Sequence, residues 1–196
     1  AEAQKIPMDA EITLLPERCT EKVNVYQVSF QNFRNRSRIY GILCLPKKEG
    51  KYPALLKVPG AGIRPYQGDV ASAEQGVITL EIGIHGIPVN LDPDVYSDLA
   101  AGALNGYQYF NLDNRDRYYY KRVYLGCVRA NDFLVSLPQY DGTNLGVSGG
   151  SQGGGACRDP PDPYRQSGCR DRSGAGVHTR RSDRRDAVST HENRVV

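Results

Sequence analysis

Hydrophobic and polar positions alternate along two stretches near the start of the chain. In Lys22–Phe30 the apolar residues fall at almost every second position, and Arg38–Pro46 is a second, more apolar run. Because successive side chains of a strand point to opposite faces, this pattern predicts two β-strands. A polar turn at residues 31–37 separates them and a charged turn at residues 47–51 follows, which favours a β-hairpin.

Three later runs are short and mostly apolar: Tyr52–Val58, Gly76–Ile82 and Asn144–Ser148. Such runs are typical of strands buried on both faces of a parallel sheet. Before the last of them, the segment Tyr118–Leu137 carries apolar residues with a period near 3.6, which predicts an amphipathic helix that ends at Pro138. A hairpin followed by buried strands that alternate with helices predicts an α/β fold with a doubly wound, mostly parallel sheet.

The two ends of the chain lack this regularity. Residues 1–20 contain two prolines and show little periodicity, and we interpret them as a lead-in segment. The folded unit is therefore predicted to span residues 21–155, followed by a tail at residues 156–196.

The tail at residues 156–196 also differs from the rest in composition. It contains nine arginines, no lysine, and no Leu, Ile, Phe or Met, and it carries the whole net charge of +3. Since so little apolar surface cannot offset the entropy lost on ordering, we predict that the tail is disordered. An arginine-rich arm for nucleic acid is the alternative, but the interleaved aspartates weaken a basic patch, so we expect no nucleic-acid partner.

The cysteines form no recognisable metal or disulfide pattern. The five are Cys19, Cys44, Cys127, Cys157 and Cys169. Their spacing includes no C-x-x-C pair, so we expect no metal site, and their odd number argues against a disulfide framework without fixing a compartment. The chain as given has no signal-peptide pattern and no apolar run of 18 residues, so we expect no membrane partner.

One glycine-rich motif carries candidate chemistry. The segment Gly149–Gly153 follows the last predicted strand and fits the pattern Gly-x-Ser-x-Gly around Ser151. In α/β-hydrolases this pattern holds a nucleophilic serine on a tight turn between a strand and a helix, and the next backbone N–H, here that of Gln152, faces the developing oxyanion. An ordinary glycine-rich loop is the alternative that the pentapeptide alone leaves open. A phosphate loop is not supported, because no Gly-Lys-Ser/Thr follows.

Two other strand ends hold further candidates. The loop Pro59–Gly62 follows a buried strand, and its small residues could supply a second oxyanion N–H, with an ordinary turn as the alternative.

His85 follows the next strand, but it precedes Ser151, whereas hydrolase triads run in the order Ser, acid, His. We therefore interpret His85 as a polar loop histidine. We interpret Tyr118–Tyr120 as helix packing and surface rather than as a sugar platform.

The chain resembles the acetyl xylan esterase / cephalosporin C deacetylase family of α/β-hydrolases. The resemblance is strongest over Tyr118–Leu125, Val128–Ala130 and Leu145–Gly155, where a helix, a turn, a strand and Gly-Gly-Ser-Gln-Gly-Gly follow in order. A weaker match extends over the earlier strands and the loop at residues 59–62. The resemblance covers residues 20 to 155 and implies an incomplete hydrolase domain, the N-terminal half through the nucleophile elbow.

This resemblance implies a serine esterase that removes acetyl groups from short acetylated xylo-oligosaccharides and related small acetates without a cofactor. Ser151 would be the nucleophile, and the backbone N–H groups of Gln152 and Ala61 would form the oxyanion hole. The family commonly has His-Gly-Tyr where this chain has Pro59-Gly60-Ala61. A backbone donor survives that difference, but the aromatic side chain does not. The resemblance also leaves a homo-oligomer open for full-length members.

The chain departs from the family pattern after Gly155. In the family, the triad acid and histidine come well after the serine, whereas here three prolines fall among residues 160–163 and preclude a continuous helix. We predict a shift of reading frame near Gly155, because the codons for the following residues, read one nucleotide later, permit the apolar sequence Leu-Ala-Ala-Ile. The serine would then lack its partners, and we expect little or no esterase activity from this form of the chain.

Two alternatives to this interpretation remain. One of the tail histidines, His178 or His191, would rebuild a triad with Asp183 or Asp186 if the tail could hold it beside Ser151, and with His191 the order would be Ser–Asp–His. The second alternative is a non-catalytic module that binds carbohydrate or another protein on a decayed hydrolase scaffold.

Overall fold

A computed structural model describes residues 6–33, 37–158 and 170–171 of the chain. Within them, seven strands form one sheet in the order β1-β2-β3-β5-β4-β6-β7. The strands are β1 (Glu11–Leu14), β2 (Val23–Gln31), β3 (Arg38–Pro46), β4 (Tyr52–Val58), β5 (Ile78–Gly83), β6 (Tyr140–Gly149) and β7 (Arg170–Asp171). The α-helices are α1 (Val70–Glu74), α2 (Pro93–Ala101), α3 (Tyr119–Ser136) and α4 (Gln152–Arg158), and short 3-10 turns lie at Pro16–Arg18 and Tyr107–Tyr109.

The sheet has an antiparallel half and a parallel half. Strands β1, β2, β3 and β5 pair antiparallel, and β2 and β3 form the predicted hairpin, with Val23 opposite Pro46 and Gln31 opposite Arg38. The charged turn at residues 47–51 closes no second hairpin, because β5 lies between β3 and β4. Strand β4 pairs in parallel with β5 on one side and β6 on the other. The parallel half therefore aligns the carboxyl ends of three neighbouring strands.

The predicted strands and the long helix are confirmed to within a few residues, except that β6 begins four residues earlier than expected. The lead-in interpretation of residues 1–20 was incomplete, since Glu11–Leu14 forms an edge strand against β2. All four side chains of β1 are exposed, so the strand has no alternation of buried and exposed positions for the sequence to reveal. The predicted tail lies almost wholly outside the described residues.

The core occupies both faces of the sheet. On one face, α3 packs against the central strands, and the rings of Phe30 and Phe133 stack with centroids 5.0 Å apart. On the other face, α1 covers a smaller cluster that includes Ile42, Cys44 and Tyr66. Burial of apolar surface on two faces is the largest stabilising contribution in a sheet of this kind.

Cys19, Cys44 and Cys127 are free thiols. Burial raises the pKa of Cys44 to about 11 and that of Cys127 to about 12, so both remain protonated packing residues at neutral pH. No group of metal-ligating side chains occurs among the described residues. None of the described helices has the length and apolar composition needed to cross a bilayer.

The Phe30–Phe133 stack should contribute strongly to stability. Phe133 is 2% exposed, and Phe133→Ala is expected to lower the free energy of unfolding by about 3–5 kcal/mol, because the lost ring leaves a cavity. Val135→Ala on the same helix is the control, since Val135 is 37% exposed and should change stability by less than about 0.5 kcal/mol. Urea unfolding followed by circular dichroism would measure both, and equal losses would contradict the assigned core.

Candidate active site

Ser151 stands on a strained turn between β6 and α4. Its φ angle is 52°, a left-handed conformation that non-glycine residues rarely adopt, and its side chain is exposed. The turn also leaves no room for side chains on either side. A Cβ added to Gly149 would lie 2.6 Å from the Gly153 carbonyl carbon, and one added to Gly153 would overlap the Val58 carbonyl group. Two glycines are therefore required here because the backbone of β4 lies directly against the elbow.

The Gln152 N–H is the first donor of α4. The N–H groups of the first helical turn have no carbonyl partner within the helix, and they carry partial positive charge. The Gly153 N–H donates to the Gly150 oxygen (2.9 Å), and the Gln152 N–H, one residue earlier, is available to an acceptor beside Ser151. This arrangement follows from the sequence position of Gln152, one residue after the turn.

The loop at residues 59–62 lies against the elbow. It continues directly from β4, and a Cβ added to Gly60 would lie 3.3 Å from the Gly150 oxygen and 3.8 Å from the Ser151 Cβ. Ala61 follows Gly60 and is exposed. The structure therefore brings the loop that contains Ala61 next to Ser151 and Gln152.

Three side chains hold the carbonyl and N–H groups of this loop. Arg64 donates from Nη1 to the Ala61 oxygen (2.8 Å) and, at a longer distance of 3.4 Å, from Nη2 to the Gly60 oxygen. The Gly62 oxygen lies 3.0 Å from His85 Nε2, and the Gly62 N–H donates to the Tyr107 hydroxyl (3.4 Å). These side chains therefore fix the loop by binding its backbone groups.

The side chain of Gln152 connects the elbow to two tyrosines. Its Oε1 accepts hydrogen bonds from the Tyr107 hydroxyl at 2.9 Å and from the Tyr120 hydroxyl at 2.6 Å. Burial raises the pKa of Tyr120 to about 12, so this hydroxyl remains a donor at neutral pH. Since Tyr107 also accepts from Gly62, one hydroxyl links the elbow to the loop at residues 59–62.

His85 lies in the loop after β5, as the sequence predicted, and it is buried there, with 6% exposure. Its Nε2 faces the Gly62 oxygen, which can only accept, so the neutral ring carries its proton on Nε2. Its Nδ1 then accepts from the Tyr119 hydroxyl at 2.6 Å. Burial lowers the pKa of His85, which favours this neutral form. Both ring nitrogens are occupied, so His85 is not available to take a proton from Ser151.

A cavity of about 520 Å³ opens beside the elbow. Lys57 on β4 lies in register with Glu81 on β5 and Ser148 on β6, and all three line the cavity. Lys57 Nζ pairs with Asp69 at 2.9 Å, and Glu81 accepts the Gly68 N–H at 2.9 Å. The volume falls within the range of small-molecule sites, and the walls are polar.

The alternative triad residues, His178, His191, Asp183 and Asp186, lie outside the described residues. The sequence did not single out Arg64, Tyr107 or Tyr120 for the site. Their partners are backbone groups or the Gln152 amide, and Tyr107 is 45 residues away from both of its partners along the chain. A local sequence motif gives no sign of such contacts.

Comparison with known proteins identifies the family. The sequence model of the acetyl xylan esterase (AXE1) family matches residues 1–157. The chain belongs to this family. The acetyl esterase Axe7A of Xylanibacter ruminicola is 42% identical over 158 residues, which make up 78% of this chain and 36% of that protein. The resemblance inferred from the motifs is thereby confirmed.

Solved structures agree on the α/β-hydrolase fold. An acetyl xylan esterase from Paenibacillus sp. R4 aligns with a TM-score of 0.62 at 28% identity, over 79% of this chain and 49% of its own. Acetyl xylan esterase 1 from Thermoanaerobacterium sp. JW/SL YS485 aligns with a TM-score of 0.64 at 23% identity, over 80% of this chain and 49% of its own. The chain therefore spans about half the length of these structures and about a third of Axe7A.

The close backbone contact at the elbow can be tested with one methyl group. Gly153→Ala is expected to lower the free energy of unfolding by about 1–3 kcal/mol, because the methyl would overlap the carbonyl groups of Val58 and Pro59. Gly155→Ala on the same helix is the control. Nothing lies within 4 Å of a Cβ added there, and alanine favours the helix by roughly 1 kcal/mol. The contact would be refuted if urea unfolding gave both variants the same stability.

The burial of neutral His85 predicts a pH-dependent stability. With its pKa below the ordinary value of about 6.5, the folded chain binds fewer protons than the unfolded chain, so the free energy of unfolding should fall as the pH drops below about 6.5. His85→Gln keeps a donor for Gly62 and removes the titration, so it should lose less stability between about pH 7.5 and about pH 5.5. A His191→Gln control should behave like the wild type, and identical pH profiles for all three proteins would disprove the assignment.

Proposed function

We propose that this chain carries the nucleophile and the oxyanion hole of a serine acetylesterase that removes acetyl groups from small acetylated carbohydrates. The observation that carries the proposal is the exposed Ser151 at φ 52°, held between the first N–H of α4 and the loop that contains Ala61. Membership of the acetyl xylan esterase family supports the same reaction. The polar cavity beside the elbow is of a suitable size for a small ester.

In the proposed reaction, Ser151 Oγ attacks the acetyl carbonyl carbon while a base takes the hydroxyl proton. The negative charge on the carbonyl oxygen is stabilised by the N–H groups of Gln152 and Ala61, in a preorganised site where such donors are most effective. Collapse breaks the bond to the sugar oxygen, which leaves with a proton, and an acetyl-enzyme forms. Water then releases acetate and restores the serine.

The described residues supply no base for this proton transfer. Of the three histidines in the chain, His85 has both ring nitrogens occupied, and the other two lie outside the described part. Loss of a triad base lowers kcat by on the order of 10⁶, although the oxyanion hole and binding alone retain about 10³–10⁴ over the uncatalysed reaction. We therefore expect Ser151 to be acylated slowly and to turn over very little.

The proposal is tested by the acetylation of Ser151. The chain would be incubated with p-nitrophenyl acetate with and without added imidazole as an external base, and the acetylated residues would be mapped by mass spectrometry. We expect an acetyl group on Ser151 whose rate of formation rises with imidazole, and hydrolysis close to that of Ser151→Ala. Exposed Ser97 is the internal control, because it lies within α2 and its hydroxyl donates to the Pro93 oxygen of the same helix.

Acetylation of Ser151 no faster than that of Ser97 would contradict the proposal and favour a non-catalytic binding module. Rapid turnover that Ser151→Ala abolishes would support the reaction, but it would contradict the expectation of weak activity. In that case the tail histidines His178 and His191 would be the next residues to replace.

A further inference from the structure

We propose that Arg64 is a positioning residue that aims the Ala61 N–H at the oxyanion. This inference rests on the proposed function, since it assigns a task within the same site. Arg64 is part of neither the Gly-x-Ser-x-Gly motif nor the proposed esterase mechanism. The guanidinium group contacts two successive peptide units of the loop.

Arg64 contacts the peptide units on both sides of the Ala61 Cα. Nη2 donates to the oxygen of Gly60, and Nη1 donates to the oxygen of Ala61. A trans peptide unit is planar, with its C=O and N–H on opposite sides. Because the Gly60 oxygen and the Ala61 N–H belong to one unit, a Gly60 oxygen turned to Arg64 sends the Ala61 N–H the other way. The second hydrogen bond fixes the next unit and leaves Ala61 little freedom to rotate.

The guanidinium group is itself anchored. It lies 5.7 Å from the centroid of the Tyr66 ring, and Tyr66 is only 5% exposed. Gly62 gives it space, since a Cβ at that position would lie 2.5 Å from Arg64 Nη1. Gly62 also has φ 123°, which only glycine adopts readily. The planar fork of an arginine suits two neighbouring carbonyl groups, whereas the single ammonium group of a lysine does not.

The charge of Arg64 is also well placed. No carboxylate of the described residues lies within 4.0 Å of its guanidinium group, so no ion pair offsets its positive charge at the edge of the site. A hydrogen bond to a peptide oxygen polarises the unit and strengthens its N–H as a donor. Arg64 would thus both aim the Ala61 N–H and increase its strength, without touching the substrate.

The contacts of His85 and Tyr107 duplicate only part of this task, since the Gly62 N–H bound by Tyr107 shares a peptide unit with the Ala61 oxygen. Both hold Gly62, the residue after Ala61, by its oxygen and its N–H. Neither contacts the peptide unit between Gly60 and Ala61, whose orientation sets the direction of the donor. Arg64 is exposed, so its replacement should leave the fold intact while it frees this one unit.

The experiment compares Arg64→Met, which keeps the apolar stem and removes every donor, with Arg64→Lys, which keeps the charge and loses the fork. Arg115→Met is the matched control, since Arg115 is also exposed and lies outside the loop at residues 59–62. Two quantities would be measured on the full chain: the ¹⁵N NMR order parameter of the Ala61 N–H, and the rate of Ser151 acetylation by p-nitrophenyl acetate with imidazole.

We expect the order parameter of Ala61 to fall from about 0.85, typical of rigid backbone, to below about 0.6 in Arg64→Met. Ser151 acetylation should slow by about tenfold to a hundredfold, since removing a donor outright costs about 10²–10³. Arg64→Lys should lie between Arg64→Met and the wild type in both measurements, Arg115→Met should match the wild type, and the melting temperature should not change.

An unchanged order parameter of Ala61 in Arg64→Met would overturn the inference. A lower order parameter with an unchanged acetylation rate would overturn it as well, because Arg64 would then hold the loop without serving the reaction. A wild-type chain that is never acetylated at Ser151 would refute the proposed function. The order parameter would in that case still decide whether Arg64 fixes the Ala61 peptide unit.

Discussion

The close approach of three backbone segments governs the site. The last residue of β4, Val58, lies so near the elbow that Gly153 could carry no side chain, and Gly153 in turn leaves no room for one at Gly149. This contact forces the chain to turn sharply at Ser151, which accounts for its left-handed φ. It also delivers the loop that follows β4 to the side of the serine. One packing constraint thus exposes the hydroxyl group and brings both candidate oxyanion donors to it.

Behind this contact, a polar network connects the elbow to α3 and to the loop at residues 59–62. Gln152 Oε1, the hydroxyls of Tyr107, Tyr119 and Tyr120, and neutral His85 are paired with one another or with backbone groups, in partly or wholly buried positions. Networks of this kind stabilise one arrangement because each partner that moves leaves a buried group unsatisfied. The aromatic rings also pack together, with His85 meeting the edge of Tyr107 at a centroid distance of 4.7 Å. The elbow is therefore supported by α3 and by the sheet.

The sequence predicted the parts of this structure that depend on local patterns. The alternation in β2, the apolar runs of β4 and β5, and the period of α3 each reflect burial of a face, so they could be recognised. The edge strand β1 buries no side chain, and α1 is only five residues long, so neither leaves a periodic signal. Ser151 could be identified because steric exclusion at the elbow demands glycines at fixed spacing. Arg64 and Tyr107 could not be identified from the sequence, because they bind backbone groups, which every sequence provides.

The described residues divide the chemistry of an ester hydrolase into two parts. In the proposed reaction, oxyanion stabilisation would depend on β4, β6 and α4; the two strands are neighbours in the sheet, and the helix meets β4 at one backbone contact. Proton transfer depends on a histidine beside the serine, and the one described histidine instead supports the backbone of the loop. The backbone around the proposed oxyanion site is rigid because steric exclusion and hydrogen bonds fix its geometry. Stabilising the oxyanion also requires no proton transfer. The site would therefore hold an ester carbonyl group in a reactive geometry even where no base completes the reaction.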